Sequence, residues 1–110
     1  PSRGLGDVYK RQLRHCPDNI PLVACDPRGR DTSSEAMAKL LARWRDTGMA
    51  SACFAIGGAD GHSQELLERA EARIAFGSAT WPHMLFRAML AEQLYRATMI
   101  LAGHPYHRGN

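Results

Sequence analysis

Hydrophobic positions along the chain fall into two alternating arrangements. Short unbroken runs, Ile20 to Cys25, Ala52 to Ile56 and Ile74 to Phe76, are bounded by turn-forming residues, the pattern of strands buried on both faces. Between them the spacing lengthens. Met37, Leu40, Leu41 and Trp44 recur at i, i+3, i+4 and i+7, with Lys39, Arg43, Arg45 and Asp46 off that stripe, which predicts an amphipathic helix. Leu66, Leu67, Ala70 and Ile74 form the apolar face of a further helix. The punctuation agrees with this division. Thr32-Ser33-Ser34-Glu35 matches a capping box with Thr32 as N-cap, Gly48 stops the helix, Ser63 can cap the next one, and Pro27-Arg28-Gly29-Arg30 reads as a turn after the first strand.

The last helical stretch differs from the others. Pro82 suits its first position, where a missing N–H costs nothing. From Leu85 to Leu101 the apolar residues cover nearly the whole circumference, with Arg87, Glu92, Gln93 and Arg96 as the strongly polar interruptions. A helix apolar all round needs cover on more than one side, and in so short a chain a second copy is the natural cover. The polar interruptions keep the run short of the roughly 20 apolar residues of a membrane span. Glu92 and Arg96, spaced i, i+4 with the acid first, predict a local ion pair.

Strand, helix, strand, helix, strand, helix implies an α/β fold, a parallel sheet with flanking helices. In that arrangement the strand ends at Cys25-Asp26, Gly57 and Phe76-Gly77 share one edge of the sheet, where ligands of such folds bind. Two loops there are rich in small residues. Gly57-Gly58-Ala59-Asp60-Gly61 lets a ligand approach the backbone but matches neither the dinucleotide fingerprint nor a P-loop, so it reads equally as a plain strand-to-helix turn. Gly77 to Thr80 runs into a helix N-terminus, where backbone N–H groups and the helix dipole favour a small polar or anionic group.

Composition adds limits. The 110 residues suit one small domain, and 45% hydrophobic with 23% charged residues is the balance of an ordinary globular protein. Two of the three net positive charges come from residues 1–12, so bulk charge argues only weakly for nucleic acid. Cys16, Cys25 and Cys53 form no CxxC pair and read as buried free thiols of a reducing compartment, which with no leader predicts a cytoplasmic location. His104 and His107 resemble a metal pair, but no nearby Cys or carboxylate completes a tetrahedral set, so no metal is expected. With Tyr106 and Arg108 they suit base stacking and phosphate contact, or form a frayed terminus. Residues 1–12 lack any periodicity and read as a foreign or truncated start.

Three segments together, Ile56-Gly57-Gly58-Ala59-Asp60-Gly61, then Thr80-Trp81-Pro82-His83 with Arg87 and Glu92-Gln93-Leu94-Tyr95-Arg96-Ala97, and finally His104-Pro105-Tyr106-His107-Arg108, resemble the ribosomal large subunit methyltransferase H family of the SPOUT superfamily. The resemblance covers about residues 19 to 108. It implies a C-terminal trefoil knot, a homodimer, S-adenosyl-L-methionine as cofactor, and methyl transfer to N3 of a pseudouridine in 23S rRNA on the assembled ribosome. Carried over by position, the cofactor residues are Cys25, where the family usually has Leu, then Gly57, Phe76, Gly77, Ser78, Ala79, Thr80 and Trp81. His83, Arg87 and His107 are the catalytic candidates, and His104, Tyr106 and Arg108 the RNA-binding ones. Against the family pattern, residues 13–110 are expected to be a SPOUT-like methyltransferase domain lacking its first strands. The alternatives are a non-catalytic RNA-binding or dimerisation module, or an inactive fragment.

Overall fold

The computed structural model describes residues 16–57 and 61–103. The elements follow the expected order: β1 Leu22–Asp31, α1 Ser34–Asp46, β2 Cys53–Ile56, α2 Gln64–Arg69, β3 Ala72–Ala75 and α3 His83–Leu101. This is an α/β fold. Two compact units divide it, one holding Pro1–Asp31 and Ser51–Thr80, the other Thr32–Ala50 and Trp81–Asn110.

The first unit is a three-stranded sheet in the order β2-β1-β3, both pairings parallel. β1 is central because its first half, Leu22 to Asp26, is buried throughout, as the unbroken apolar run requires of a strand covered on both faces. Alternation sends Leu22 and Ala24 to one face, where they meet Ala55 of β2, Leu66 and Leu67 of α2, and Cys16. Helix α2 is short but well started: Ser63 accepts the Leu66 N–H on Oγ at 3.2 Å. Arg69, in the last turn of α2, donates to the carbonyls of Pro17 at 2.6 Å and Ile20 at 3.3 Å, fastening the segment that leads into β1.

β1 is longer than the apolar run. The turn expected at Pro27 to Arg30 is instead an irregularity inside the strand: Cys25 pairs with Ile74, the chain bulges, and Arg30 and Asp31 return to pair with Ile74 and Ala75. Asp26 shapes the bulge. Its Oδ1 accepts the Arg28 backbone N–H at 2.9 Å, and Oδ2 accepts the Arg28 guanidinium at 3.1 Å. Gly29 permits the return, because a Cβ there would lie 2.8 Å from the Arg73 carbonyl carbon and oxygen. Ile74, which the pattern placed both on a helix face and at the start of the third strand, belongs to the strand alone, and β3 begins two residues earlier, at Ala72.

The second unit pairs α1 with α3, and Ser34 Oγ donates to Gln93 Oε1 across the pair. Met37, Ala38 and Trp44 are the buried residues of α1; Phe86, Leu90 and Ala97 are those of α3. The N-cap of α1 is Ser33, whose Oγ accepts the Ala36 N–H at 3.1 Å, one residue beyond Thr32. Gly48 follows the helix with φ +79°, the left-handed conformation that ends it. In α3, Pro82 is the cap itself and His83 the first helical residue. Glu92 and Arg96 form the expected ion pair at 2.8 Å. Among the described residues α3 keeps large apolar side chains at its surface: Met84 is 75% exposed, and Leu85, Tyr95 and Leu101 are also exposed. Among the described residues no helix is long and apolar enough to cross a membrane.

Candidate functional site

The ladder of the first unit sets three positions at one level, although Cys25, expected at a strand end, lies inside β1, which runs on to Asp31. Cys25 pairs with Ile56 on one side and with Ile74 on the other, so Gly57 stands one residue beyond that common level and Phe76 two. Three expected cofactor positions from distant parts of the sequence therefore share one edge of one sheet. Cys25 is buried, and burial pushes its thiol up to about 12, so at neutral pH it is an uncharged, apolar wall. Phe76 is half-buried and Gly77 to Thr80 are exposed.

The loop after β3 is held at its start. Gly77 has φ +83°, and its N–H donates to Asp31 Oδ1 at 2.7 Å. Among the described residues nothing lies within 4 Å of the position a Cβ on Gly77 would take, which leaves the loop backbone open to them on that side. Open backbone beside an apolar wall suits a ligand with a flat apolar part and a charged polar end.

A residue that the sequence pattern did not flag completes this edge. His62 is buried, and its Nε2 lies 3.1 Å from the Cys25 carbonyl oxygen. A carbonyl only accepts, so Nε2 carries the hydrogen. The same ring covers Gly57, where a Cβ would sit 3.2 Å from Nε2. Asp26 is buried beside it, and the Arg28 guanidinium, with a smaller contribution from His62, holds its carboxyl below the usual carboxylate range. The available signal was positional: a histidine directly after a glycine run and directly before a capping serine.

The other candidates lie elsewhere in the chain. Trp81, His83 and Arg87 belong to the second unit. His83 and Arg87 are exposed one helical turn apart at the start of α3, whose N-cap makes no side-chain hydrogen bond, leaving the first backbone N–H groups of that helix without an intrahelical acceptor. His104, Tyr106, His107 and Arg108 lie outside the described residues, as do Gly58 to Asp60. Among the described residues no three His, Cys, Asp or Glu side chains gather as a metal-ligand set.

Comparison with known families decides the lineage. The family described as "Predicted SPOUT methyltransferase" matches residues 7–107. The chain belongs to the SPOUT methyltransferase family. Among curated proteins, this SPOUT chain is 63% identical over 86 residues to the Ribosomal RNA large subunit methyltransferase H of Erythrobacter litoralis, covering 78% of the chain and 61% of the relative. The protein of the same name from Novosphingobium aromaticivorans is 64% identical over the same shares. That from Nitrobacter winogradskyi is 58% identical over 97 residues, 88% of the chain and 61% of the relative. The SPOUT chain thus spans about three-fifths of the length of the curated relatives it matches.

Proposed function

We propose that the protein is an S-adenosyl-L-methionine-dependent methyltransferase of large-subunit ribosomal RNA, acting on N3 of a pseudouridine in 23S rRNA, in the cytoplasm and as a homodimer. The observation that carries the reading is the shared level of Cys25, Ile56 and Ile74, which sets Gly57 and Phe76-Gly77 around one edge of the sheet. The residues there fit the cofactor. Cys25 and Phe76 offer apolar surface to an adenosyl group, and the open backbone of Gly77, Ser78, Ala79 and Thr80 offers donors and acceptors to an amino-acid end, with Trp81 adjoining in sequence. When bound, the sulfonium supplies an electrophilic methyl group.

What the chain contributes is position and charge. An in-line displacement needs nucleophile, carbon and leaving sulfur aligned, and holding them so accounts for much of the available rate gain. The N3–H of pseudouridine is a weakly acidic imide. His83 or His107 would take that proton, and Arg87 would stabilise charge left on the flanking carbonyls. His104, Tyr106 and Arg108 would contact RNA. The exposed Met84, Leu85 and Leu101 of α3 support a second copy as their cover, and a C-terminal trefoil knot is part of the same proposal.

Isothermal titration with S-adenosyl-L-methionine, followed by mass spectrometry of large-subunit rRNA incubated with protein and isotopically labelled donor, tests the proposal. Saturable binding and a labelled methyl on pseudouridine are expected. No donor binding together with no label would overturn it, and ribosome binding indifferent to the donor would favour a non-catalytic RNA-binding module.

A further inference from the structure

The glycine-rich loop after β2 poses a physical problem that the structure answers with one side chain. Glycine loses more conformational freedom on ordering than any other residue, so a loop opening on Gly57-Gly58 and closing on Gly61 is costly to hold in one shape. Parallel pairing of β1 with β2 ends at Cys25 and Ile56, and the regular ladder does nothing beyond that point to fix Gly57 against β1. His62 sits just past the loop, is buried, and returns to β1: its Nε2–H donates to the Cys25 carbonyl at 3.1 Å while its ring lies over Gly57. Its own backbone is fixed from the other direction, since the next residue, Ser63, caps α2. The imidazole is therefore a strut between Cys25, where β1 stops pairing with β2, and Gly57, just past the end of β2, both positions expected to touch the cofactor.

We propose that His62 is a positioning residue for the methyl donor, setting the gap between Cys25 and Gly57 before the donor arrives. The inference rests on the proposed donor site and adds to it a residue that the family resemblance did not supply. Order imposed in advance is order the ligand does not have to impose, so the strut acts on affinity. It makes no demand on the chemical step.

The test compares the full chain with His62→Leu, which keeps apolar bulk and removes the donor, and His62→Gln, whose amide N–H can replace Nε2–H. Titration calorimetry gives the dissociation constant for S-adenosyl-L-methionine and for its product S-adenosylhomocysteine, and thermal unfolding without ligand gives stability. The expected result is a roughly tenfold loss of affinity for both ligands in His62→Leu, the scale of one hydrogen bond to a buried acceptor, with most of it restored in His62→Gln. Affinity of His62→Leu within twofold of the parent would overturn the proposal, as would melting temperatures lowered alike in both variants with affinities unchanged, which marks a merely structural role. Should His62→Leu fail to fold, His62→Met, of similar bulk and with no hydrogen to donate, takes its place: a tenfold loss in His62→Met restored in His62→Gln supports the strut, and equal affinities in the two overturn it. A parent chain that binds neither ligand overturns the donor site itself, whereas a binding parent with an indifferent His62→Leu overturns only the strut.

Discussion

Asp31 and Gly77 are joined by a 2.7 Å hydrogen bond from the Gly77 N–H to Oδ1, although 46 residues separate them in sequence. The bond ties the last residue of β1 to the loop after β3, at the end of the sheet where Cys25 and Gly57 also lie. Because the acceptor is charged but exposed, it is worth about 1 kcal/mol. Asp31→Ala is expected to lose about that much in urea unfolding and to weaken donor binding, while Asp31→Asn, which keeps an oxygen acceptor, should retain most of both.

Gly29 marks a second close approach. A methyl group there would press on the Arg73 backbone at 2.8 Å, and backbone cannot rotate away as a side chain can. Gly29→Ala should therefore cost about 1–3 kcal/mol in chemical unfolding. Gly48→Ala makes a useful contrast: among the described residues nothing lies within 4 Å, but φ is +79°, so its cost of about 1 kcal/mol comes from backbone conformation.

The Asp26–Arg28 clip gives the protein an acid limb. Asp26 titrates below the ordinary aspartate value of about 3.9 because the Arg28 guanidinium and backbone N–H both favour its charged form. A carboxyl with a depressed folded-state pKa stabilises the fold above its unfolded value, and that stabilisation disappears as pH falls through the folded value. Urea midpoints should accordingly fall from pH 5 downward, and Asp26→Asn should flatten this limb while lowering stability at neutral pH.

Cys25 acts in the opposite direction. Its thiol is pushed up to about 12 by burial, so folding favours the neutral form, a preference present in full below the unfolded thiol value of about 8.5 and lost as pH rises toward 12. Iodoacetamide at pH 8 should leave Cys25 unmodified in the native protein and label it rapidly in urea, as read by mass spectrometry of the peptide. Cys25→Ala should flatten the alkaline limb of stability.

Local chemistry explains which parts of this structure were legible in advance. Unbroken apolar runs located all three strands, and Thr32, Ser63 and Gly48 located helix ends to within a residue, because each of those signals acts over a few neighbouring positions. Thr32 was displaced as cap by Ser33, an equally competent neighbour that differs only in where the helix begins. Pro27-Arg28-Gly29-Arg30 misled because the residues of a turn are also the residues of a bulge, and only pairing with β3 distinguishes the two. At the candidate site, Gly57 and the loop from Phe76 were readable as strand ends, whereas Cys25, read as one, lies inside β1 at the point where its pairing with β2 stops. His62 and Asp31 were not legible, since their partners, Cys25 and Gly77, lie 37 and 46 residues away.

Cys25, Ile56 and Ile74 occupy a single rung, with the strand made first in the middle. During synthesis the central strand emerges long before its second neighbour exists, and the rung closes only when β3 has arrived. On the proposed donor site the ligand meets all three strands, so it is expected to slow disassembly rather than speed assembly, its protection showing mainly as slower unfolding.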